Sequence, residues 1–376
     1  MTDTETRLRD YLHARAASVA DDAEPPGLDE SATPKRHLWP VLMAAAAIGA
    51  VLVLVVPLVA RVSGPDRVLA ERPGTGLGVP FVLGTDALTL HDGETSVPLD
   101  VGLPSFRDTA RVDGGWLIQT QAQGTRSFRL GLLRTDGSVK PFGPADTLGF
   151  RLSPDRRHVV TAVPADRGKT RLVILDVATG AETDSMVAPM GLITPTGWNH
   201  QGVWLIEEYS SSVKPQLWRP GTDRLVELDV PEYAAHLIVQ PGTERVLAVT
   251  RKGGATCLRA GTPRDGGLAV DREQCGAVKT QVYAALSLDG ATMVNLDQRL
   301  AVDVATGRRI TLELPGDRHL SLPRFEDATH LLVVATDLSS GGSAPPETVF
   351  RCDVTTGACR SVYNVPAGTR IGLGLS

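Results

Sequence analysis

Three segments of the chain share one pattern: Leu175-Asp-Val-Ala-Thr-Gly180, Val302-Asp-Val-Ala-Thr-Gly307 and Cys352-Asp-Val-Thr-Thr-Gly357. Each begins as an alternating strand and ends in a glycine-bearing turn, a pattern typical of a β-hairpin. The first two glycines are 127 residues apart, and the last two are 50 apart. These spacings suit a repeating unit of about 40–45 residues.

A second recurring element precedes these hairpins. Leu152-Ser-Pro-Asp155 leads into an apolar strand that starts at His158, and Leu286-Ser-Leu-Asp-Gly290 leads into one that starts at Ala291. Each unit therefore contains four strands, which is the content of one β-propeller blade. The residues predicted to form the blade turns are Asp155, Gly180, Asp289, Gly290, Gly307 and Gly357.

With these turns, the chain resembles the WD40-like and TolB-like β-propeller repeats, although no Trp-Asp dipeptide closes a blade. The resemblance implies an all-β propeller, and the spacing predicts seven blades, with six or eight as alternatives. The predicted units are 79–101, 105–142, 147–185, 193–229, 235–278, 283–314 and 321–363. Residues 370–375 are expected to supply the missing strand of blade one and so close the ring. A pair of unrelated β-sandwiches is the alternative fold.

The composition fits many short strands, because 38 glycines and 26 prolines are spread through 376 residues. The net charge is −5, and no region forms a sustained basic patch. Nucleic acid is therefore not an expected partner.

One segment near the N-terminus is apolar enough to cross a membrane. Residues 38–60 read LWPVLMAAAAIGAVLVLVVPLVA, which is 23 residues without a charge. That length spans a hydrocarbon core of about 30 Å. A cleaved signal peptide is the alternative, but the preceding 37 residues are long and acidic for a signal. We expect a tail at 1–37, a single transmembrane helix at 38–60, a linker at 61–78 and a propeller at 79–376.

All four cysteines lie beyond this apolar segment: Cys257, Cys275, Cys352 and Cys359. An even number on one side predicts disulfides, and disulfides indicate an oxidising compartment. The blade register pairs Cys257 with Cys275 and Cys352 with Cys359. Zinc, the alternative, needs closer CxxC-like spacing. We therefore expect a plasma-membrane protein whose tail is cytoplasmic and whose propeller is extracytoplasmic.

The tail begins with a capping-box pattern, Thr2-x-x-Glu5, which predicts a short amphipathic helix. Leu8, Tyr11 and Leu12 form its apolar stripe and are candidates for docking a partner. The layout of tail, single span and outer domain is similar to that of bacterial membrane-bound anti-sigma factors. That resemblance implies a cytoplasmic regulator, such as a sigma factor, as a partner; the paired cysteines of zinc-binding anti-sigma factors are absent from the tail.

No catalytic or nucleotide-binding motif is visible, so neither a cofactor nor enzymatic activity is expected. The histidines are scattered over the predicted blades: His91, His158, His200, His236, His319 and His330. Trp198, Trp204 and Trp218 are either the core of blade four or a ligand platform. Glu207-Glu208-Tyr209 is either a cation site or a solvated strand end.

Three functions fit these features, and the sequence favours the first. It is a membrane-anchored propeller that binds an outer ligand or protein and signals through the tail. The second is a scaffold of the cell envelope. The third is an anchored enzyme of lactonase-like or quinoprotein-like type, which would need acidic or histidine ligands converging on the propeller channel.

Overall fold

The computed structural model describes residues 76–99, 106–121, 128–189, 191, 193–207, 214–230, 234–277, 283–340 and 345–375. The described residues form 28 β-strands. The first fourteen are β1 Phe81–Gly84, β2 Leu88–Asp92, β3 Thr95–Leu99, β4 Phe106–Val112, β5 Gly115–Gln121, β6 Phe128–Leu133, β7 Val139–Phe142, β8 Phe150–Leu152, β9 His158–Pro164, β10 Thr170–Asp176, β11 Glu182–Ala188, β12 Ile193–Asn199, β13 Gly202–Glu207 and β14 Gln216–Trp218. The others are β15 Leu225–Glu227, β16 Ala234–Val239, β17 Val246–Lys252, β18 Ala255–Arg264, β19 Gly267–Ala277, β20 Ala284–Leu286, β21 Thr292–Asn295, β22 Leu300–Asp303, β23 Arg309–Thr311, β24 His319–Phe325, β25 His330–Thr336, β26 Glu347–Asp353, β27 Cys359–Asn364 and β28 Arg370–Leu373.

These strands form seven four-stranded antiparallel sheets, so the predicted seven-bladed, all-β propeller is confirmed. Blade one has the order β28-β1-β2-β3, and blades two to seven each take four consecutive strands from β4 onward. The inner strand of blade one is β28, and that of each other blade is its first strand in chain order. These strands contact one another between neighbouring blades, so they form the inner ring. Their side chains are therefore the ones placed around the central channel.

The ring is closed by the C-terminal strand, as the sequence predicts. β28 pairs antiparallel with β1, from Arg370 opposite Gly84 to Leu373 opposite Phe81. The Glu347 carboxylate, 7 % exposed, accepts hydrogen bonds from the Ile371 amide and the Arg370 guanidinium, both at 3.0 Å. Blade seven thus holds the strand that completes blade one.

The N-terminal end of the propeller domain is also held by blade seven. The Glu326 carboxylate accepts a hydrogen bond from the Gly78 amide, and it also pairs with the Arg351 guanidinium. Leu77 is 3 % exposed and belongs to the cluster between blades seven and one. The packed domain therefore includes Leu77 and Gly78, which the sequence analysis assigned to the linker.

The core is divided among the blade interfaces. Seven hydrophobic clusters of described residues each join two neighbouring blades. A blade packs on both of its faces, so its middle strands are apolar on successive residues instead of alternating. In β9, for example, the five residues from Val159 to Val163 are all buried.

Both predicted disulfides are present. Cys257 and Cys275 are opposite one another on β18 and β19, and Cys352 and Cys359 are opposite on β26 and β27. Each closes a short loop, with sequence separations of 18 and 7.

We expect each disulfide to stabilise the propeller by about 2–3 kcal/mol, because each restricts the unfolded chain. Thermal unfolding of the full-length chain with and without a reducing agent measures this effect, and reduction should lower the melting temperature. Mass spectrometry of unreduced peptides checks the pairing. A peptide that links Cys275 to Cys352 would contradict the blade register.

A buried carboxylate joins blades one and two. Asp92 accepts hydrogen bonds from Arg111 Nε and Trp116 Nε1, both at 2.7 Å. Burial raises the pKa of Asp92, but these hydrogen bonds and the charge of Arg111 outweigh burial and lower the pKa overall. Asp92 therefore contributes stability above its unfolded pKa of about 3.9, and this contribution is lost as pH falls through the lower folded value.

Replacing Asp92 with Asn should therefore destabilise the propeller at pH 7 and have a smaller effect at acidic pH. Hydrogen bonds to a charged group contribute about 1.5–3 kcal/mol, and solvent screening at the half-exposed Arg111 reduces this to about 1–2 kcal/mol. Urea unfolding at pH 7 and pH 3 measures the difference. Asp113→Asn, at an exposed position, is the control. An equal loss of stability at both pH values would contradict this assignment.

Within the described ranges, no helix has the length and hydropathy needed to span a bilayer. The predicted transmembrane segment 38–60 and the tail lie outside those ranges.

Candidate functional site

The inner strands bring four ionisable side chains together from four different blades. They are Asp108 on β4, Arg151 on β8, His236 on β16 and Arg324 on β24. Asp108 interacts electrostatically with both arginines, and so does His236. Blades two, three, five and seven can meet only across the propeller axis. We refer to these four residues as the channel cluster.

Irregular pairing of the inner strands places three of the four. The register of β4 with β5 shifts between Phe106 and Asp108, and that of β16 with β17 shifts between Ala234 and His236. The register of β24 with β25 shifts immediately before Arg324. A β-bulge changes the direction of the side chains that follow it, and bulges are frequent beside functional sites.

The β24 bulge also holds a residue in an unfavourable conformation. Leu322 has φ of 49°, in the left-handed region, and is followed by Pro323 and Arg324. A non-glycine residue with this conformation costs about 1–3 kcal/mol, which the surrounding structure must offset. The strain lies two residues from a member of the channel cluster, so it helps set where Arg324 projects.

Arg151 is fixed by contacts with three blades. Its Nε donates to the Thr196 carbonyl of blade four at 2.9 Å, and its Nη1 donates to the Phe150 carbonyl at 2.6 Å. The same Nη1 is 3.8 Å from Asp108 Oδ2 of blade two. Arg151 is therefore largely engaged by the protein itself.

The cluster is accessible to water: His236 is exposed, and Asp108, Arg151 and Arg324 are partly buried. The Asp108 side chain is 17 % exposed and that of Arg151 is 30 % exposed. Burial nevertheless raises the pKa of Asp108, and the charges of Arg324 and Arg151 only partly offset the rise. Burial lowers the pKa of Arg151 despite the opposing charge of Asp108. The raised pKa of Asp108 and the lowered pKa of Arg151 both indicate that their 3.8 Å ion pair does not compensate for the hydration that the two charged groups lose.

His236 lies in the same positive environment. Its pKa is lowered by burial and, to a lesser extent, by the charges of Arg151 and Arg324. Since its ordinary pKa is about 6.5, the imidazole is neutral at pH 7. It can then donate one hydrogen bond and accept another.

Arg324 differs from Arg151 because part of its guanidinium has no hydrogen-bond partner among the described residues. The group in question is its Nε, which is buried. An unsatisfied buried donor costs about 1–3 kcal/mol, and more when it is charged. Such a group in a folded protein requires a specific explanation.

The predicted turn residues stabilise the turns themselves. Asp155 accepts from the Arg157 amide at 3.0 Å and from Ser153 Oγ at 2.6 Å. Asp289 makes the same two contacts at the same distances, with the Ala291 amide and with Ser287. These turns connect β8 to β9 and β20 to β21, and their aspartates are engaged within their own turns.

The glycine turns are equally structural. Gly180, Gly307 and Gly357 have φ of 74°, 76° and 88°, and each amide donates to the carbonyl of the turn aspartate. At Gly357 a side chain would meet the Thr311 carbonyl oxygen at 2.3 Å. Gly290, with φ of 72°, lies in the turn begun by Ser287.

The other candidates do not join the channel cluster. Trp198, Trp204 and Trp218 are at most 9 % exposed and pack in the core at the faces of blade four. Of the six histidines in the predicted blades, only His236 belongs to the cluster. His319 and His330 both lie in blade seven. The tail residues Leu8, Tyr11 and Leu12 lie outside the described residues, as do Glu208 and Tyr209.

One group of described residues has the side-chain types of a metal site: Cys257, Glu273 and Cys275. Both sulfur atoms are joined in a disulfide, so neither can act as a thiolate ligand. The cysteines are therefore structural.

Comparison with known proteins shows a similarity of fold. No family model matches the chain, and no curated protein matches its sequence. The β-propeller domain of the trilobed protease from Pyrococcus furiosus, described as having an open velcro topology, is 9 % identical, with a TM-score of 0.51 over 76 % of this chain and 94 % of that one. TolB from Acinetobacter baumannii is 12 % identical (TM-score 0.47; 82 % and 69 % covered). A putative 6-phosphogluconolactonase from Bacteroides fragilis is 14 % identical (TM-score 0.46; 80 % and 100 % covered).

At these identities the similarity concerns the fold alone. The pairing of β28 with β1 closes the ring in this chain. The chain is a closed seven-bladed β-propeller.

Proposed function

We propose that this chain is a membrane-anchored, extracytoplasmic binding propeller that signals through its N-terminal tail to a cytoplasmic regulator such as a sigma factor. The observation that supports binding most directly is the channel cluster. Four inner strands present charged and polar groups to one water-accessible point, and ligand sites combine a concave surface with a few convergent polar groups.

The charges of the cluster favour binding over metal-dependent catalysis. A metal-dependent propeller enzyme needs converging carboxylates or histidines. Here Asp108 and His236 share the site with the guanidiniums of Arg151 and Arg324. Two positive charges repel a divalent cation, so the site suits an uncharged or anionic ligand.

Two further features support the proposed location. The two disulfides are of the kind that persists in oxidising compartments outside the cytoplasm. The uncharged segment 38–60 has the length of a single membrane span. Together they favour a propeller outside the cytoplasm and a tail inside it.

The signalling proposal is tested by affinity capture of the tagged full-length chain from bacterial cells. A sigma factor or another regulator should be recovered with the wild type and lost with the double variant Leu8→Asp/Leu12→Asp, which disrupts the predicted apolar stripe. Asp10→Asn, on the opposite side of the predicted helix from that stripe, should retain it. If no regulator is recovered, or if the double variant recovers it equally well, the signalling role is wrong.

A further inference from the structure

The channel cluster is not electrically balanced. Arg151 and Arg324 carry two positive charges, Asp108 carries at most one negative charge, and His236 is neutral at pH 7. Loss of hydration makes the charges of Asp108 and Arg151 costly, because burial raises the pKa of Asp108 and lowers that of Arg151. A bound negative group would offset this net positive charge.

The two arginines have different roles in this arrangement. Arg151 donates to two carbonyls and lies beside Asp108, so its position is set by the protein. Arg324 keeps a buried Nε without a partner among the described residues. A guanidinium offers several donors in one plane, which matches the paired oxygens of a carboxylate or phosphate. Of the two arginines, Arg324 is therefore the one whose guanidinium the described residues leave partly unsatisfied.

The backbone supports this division of roles. Arg151 lies on a short, regularly paired strand, whereas Arg324 follows a bulge that contains the strained Leu322. Strained backbone persists where the surrounding structure over-determines it, and it is frequent at ligand sites. His236, also just after a bulge, can donate a hydrogen bond to the same ligand.

From these observations we infer that the channel cluster binds the oxyanion of a small ligand, with Arg324 as the main donor, Arg151 as a fixed positive charge and His236 as a hydrogen-bond donor. The ligand class is a small carboxylate or phosphate. A single negative charge would balance the cluster, which favours a carboxylate. This inference deepens the proposed binding function and rests on it for the propeller's role.

The test is a calorimetric titration of the full-length chain with acetate and, separately, with inorganic phosphate. A titration with potassium chloride at the same ionic strength is the control for general screening of the charges by salt. We expect at least one of the two anions to bind, and Arg324→Gln to weaken that binding by about tenfold or more, since hydrogen bonds to charged groups are the strong ones. Arg309→Gln, at an exposed position on β23 of blade six, is the matched control and should bind as the wild type does.

Comparing the two anions distinguishes a carboxylate ligand from a phosphorylated ligand. Tighter binding of acetate assigns a carboxylate ligand, and tighter binding of phosphate assigns a phosphorylated one. Thermal unfolding confirms that Arg324→Gln is folded; if it is not, Arg324→Lys keeps the charge and removes the planar donor set, and it should also weaken binding. Binding of neither anion, or equal binding by the wild type and the Arg324 variants, would overturn the inference. Because affinity capture tests the tail, failure here would leave the signalling result intact.

Discussion

Deleting residues 370–376 should abolish cooperative folding of the propeller or lower its melting temperature sharply. This segment contains β28, the innermost strand of blade one, which pairs with β1. Without it, β1 becomes an open edge, and Ile371 and Leu373 leave the cluster between blades seven and one. Burying two such side chains contributes roughly 3–6 kcal/mol, a large share of the 5–15 kcal/mol that holds a typical protein folded.

The deletion has a second cost at Glu347. This buried carboxylate would lose its hydrogen bonds from Arg370 and from the Ile371 amide. A carboxylate left without such partners destabilises the folded state further.

Thermal unfolding followed by circular dichroism measures the effect. A synthetic peptide of residues 366–376 should restore stability when added to the shortened chain, because it can occupy the vacated edge of β1. A peptide of the same composition in scrambled order is the control. If the shortened chain melts at the wild-type temperature, the ring is not closed by β28.

Replacing Trp204 with Ala should destabilise the chain by about 3–5 kcal/mol, the usual cost of removing a large aromatic side chain from a core. Trp204 is 1 % exposed and belongs to the same buried cluster as Leu237 and Val246 of blade five. Its Nε1 donates to Asn199 Oδ1 at 3.1 Å, and the side-chain Nδ2 of Asn199 donates to the Thr243 carbonyl at 3.1 Å. The substitution therefore weakens both the packing and the hydrogen bonds between blades four and five.

Urea unfolding measures this loss, and it also separates the two interpretations of the tryptophans in blade four. Val139→Ala, at a side chain that is 50 % exposed, is the control and should change stability by less than about 0.5 kcal/mol. A Trp204→Ala chain as stable as the wild type would mean that this residue is not blade core.

Much of the fold follows from the sequence because the turns repeat. The Asp and Gly residues of the turns recur at a regular spacing, and each has a local reason to be there. The carboxylate of Asp155 caps its own turn, and Gly357 occupies a space that no side chain can share. The disulfide pairs follow from the same register, since Cys352 and Cys359 flank one such turn and face each other on its two strands.

The channel cluster could not be predicted in the same way. Strand alternation assigns side chains to faces only while the pairing is regular, and bulges precede Asp108, His236 and Arg324. No short motif surrounds these residues. Their separations of 43, 85 and 88 residues match one, two and two blade units, but that spacing alone does not distinguish them from other residues of the inner strands. The available signal was a charged residue inside a short apolar first strand, such as Arg151 in Phe150-Arg-Leu152. That signal becomes meaningful only when the blades are aligned with one another.

The central claim is that inner strands of non-adjacent blades bring Asp108 and Arg324 together across the channel. A double-mutant cycle measures this directly, with Asp108→Asn, Arg324→Gln and the double variant unfolded by urea at pH 7. Because blade one separates blades two and seven, the two residues can interact only across the axis. Asp136→Asn, in an exposed turn of blade two, replaces Asp108 in a control cycle.

We predict a coupling free energy of about 0.5–3 kcal/mol between Asp108 and Arg324, the range found for residues within one charged network. The control cycle with Asp136 should show none. A coupling indistinguishable from zero in the Asp108–Arg324 cycle would mean that the two charges do not meet, and it would contradict the channel cluster on which the proposed function depends.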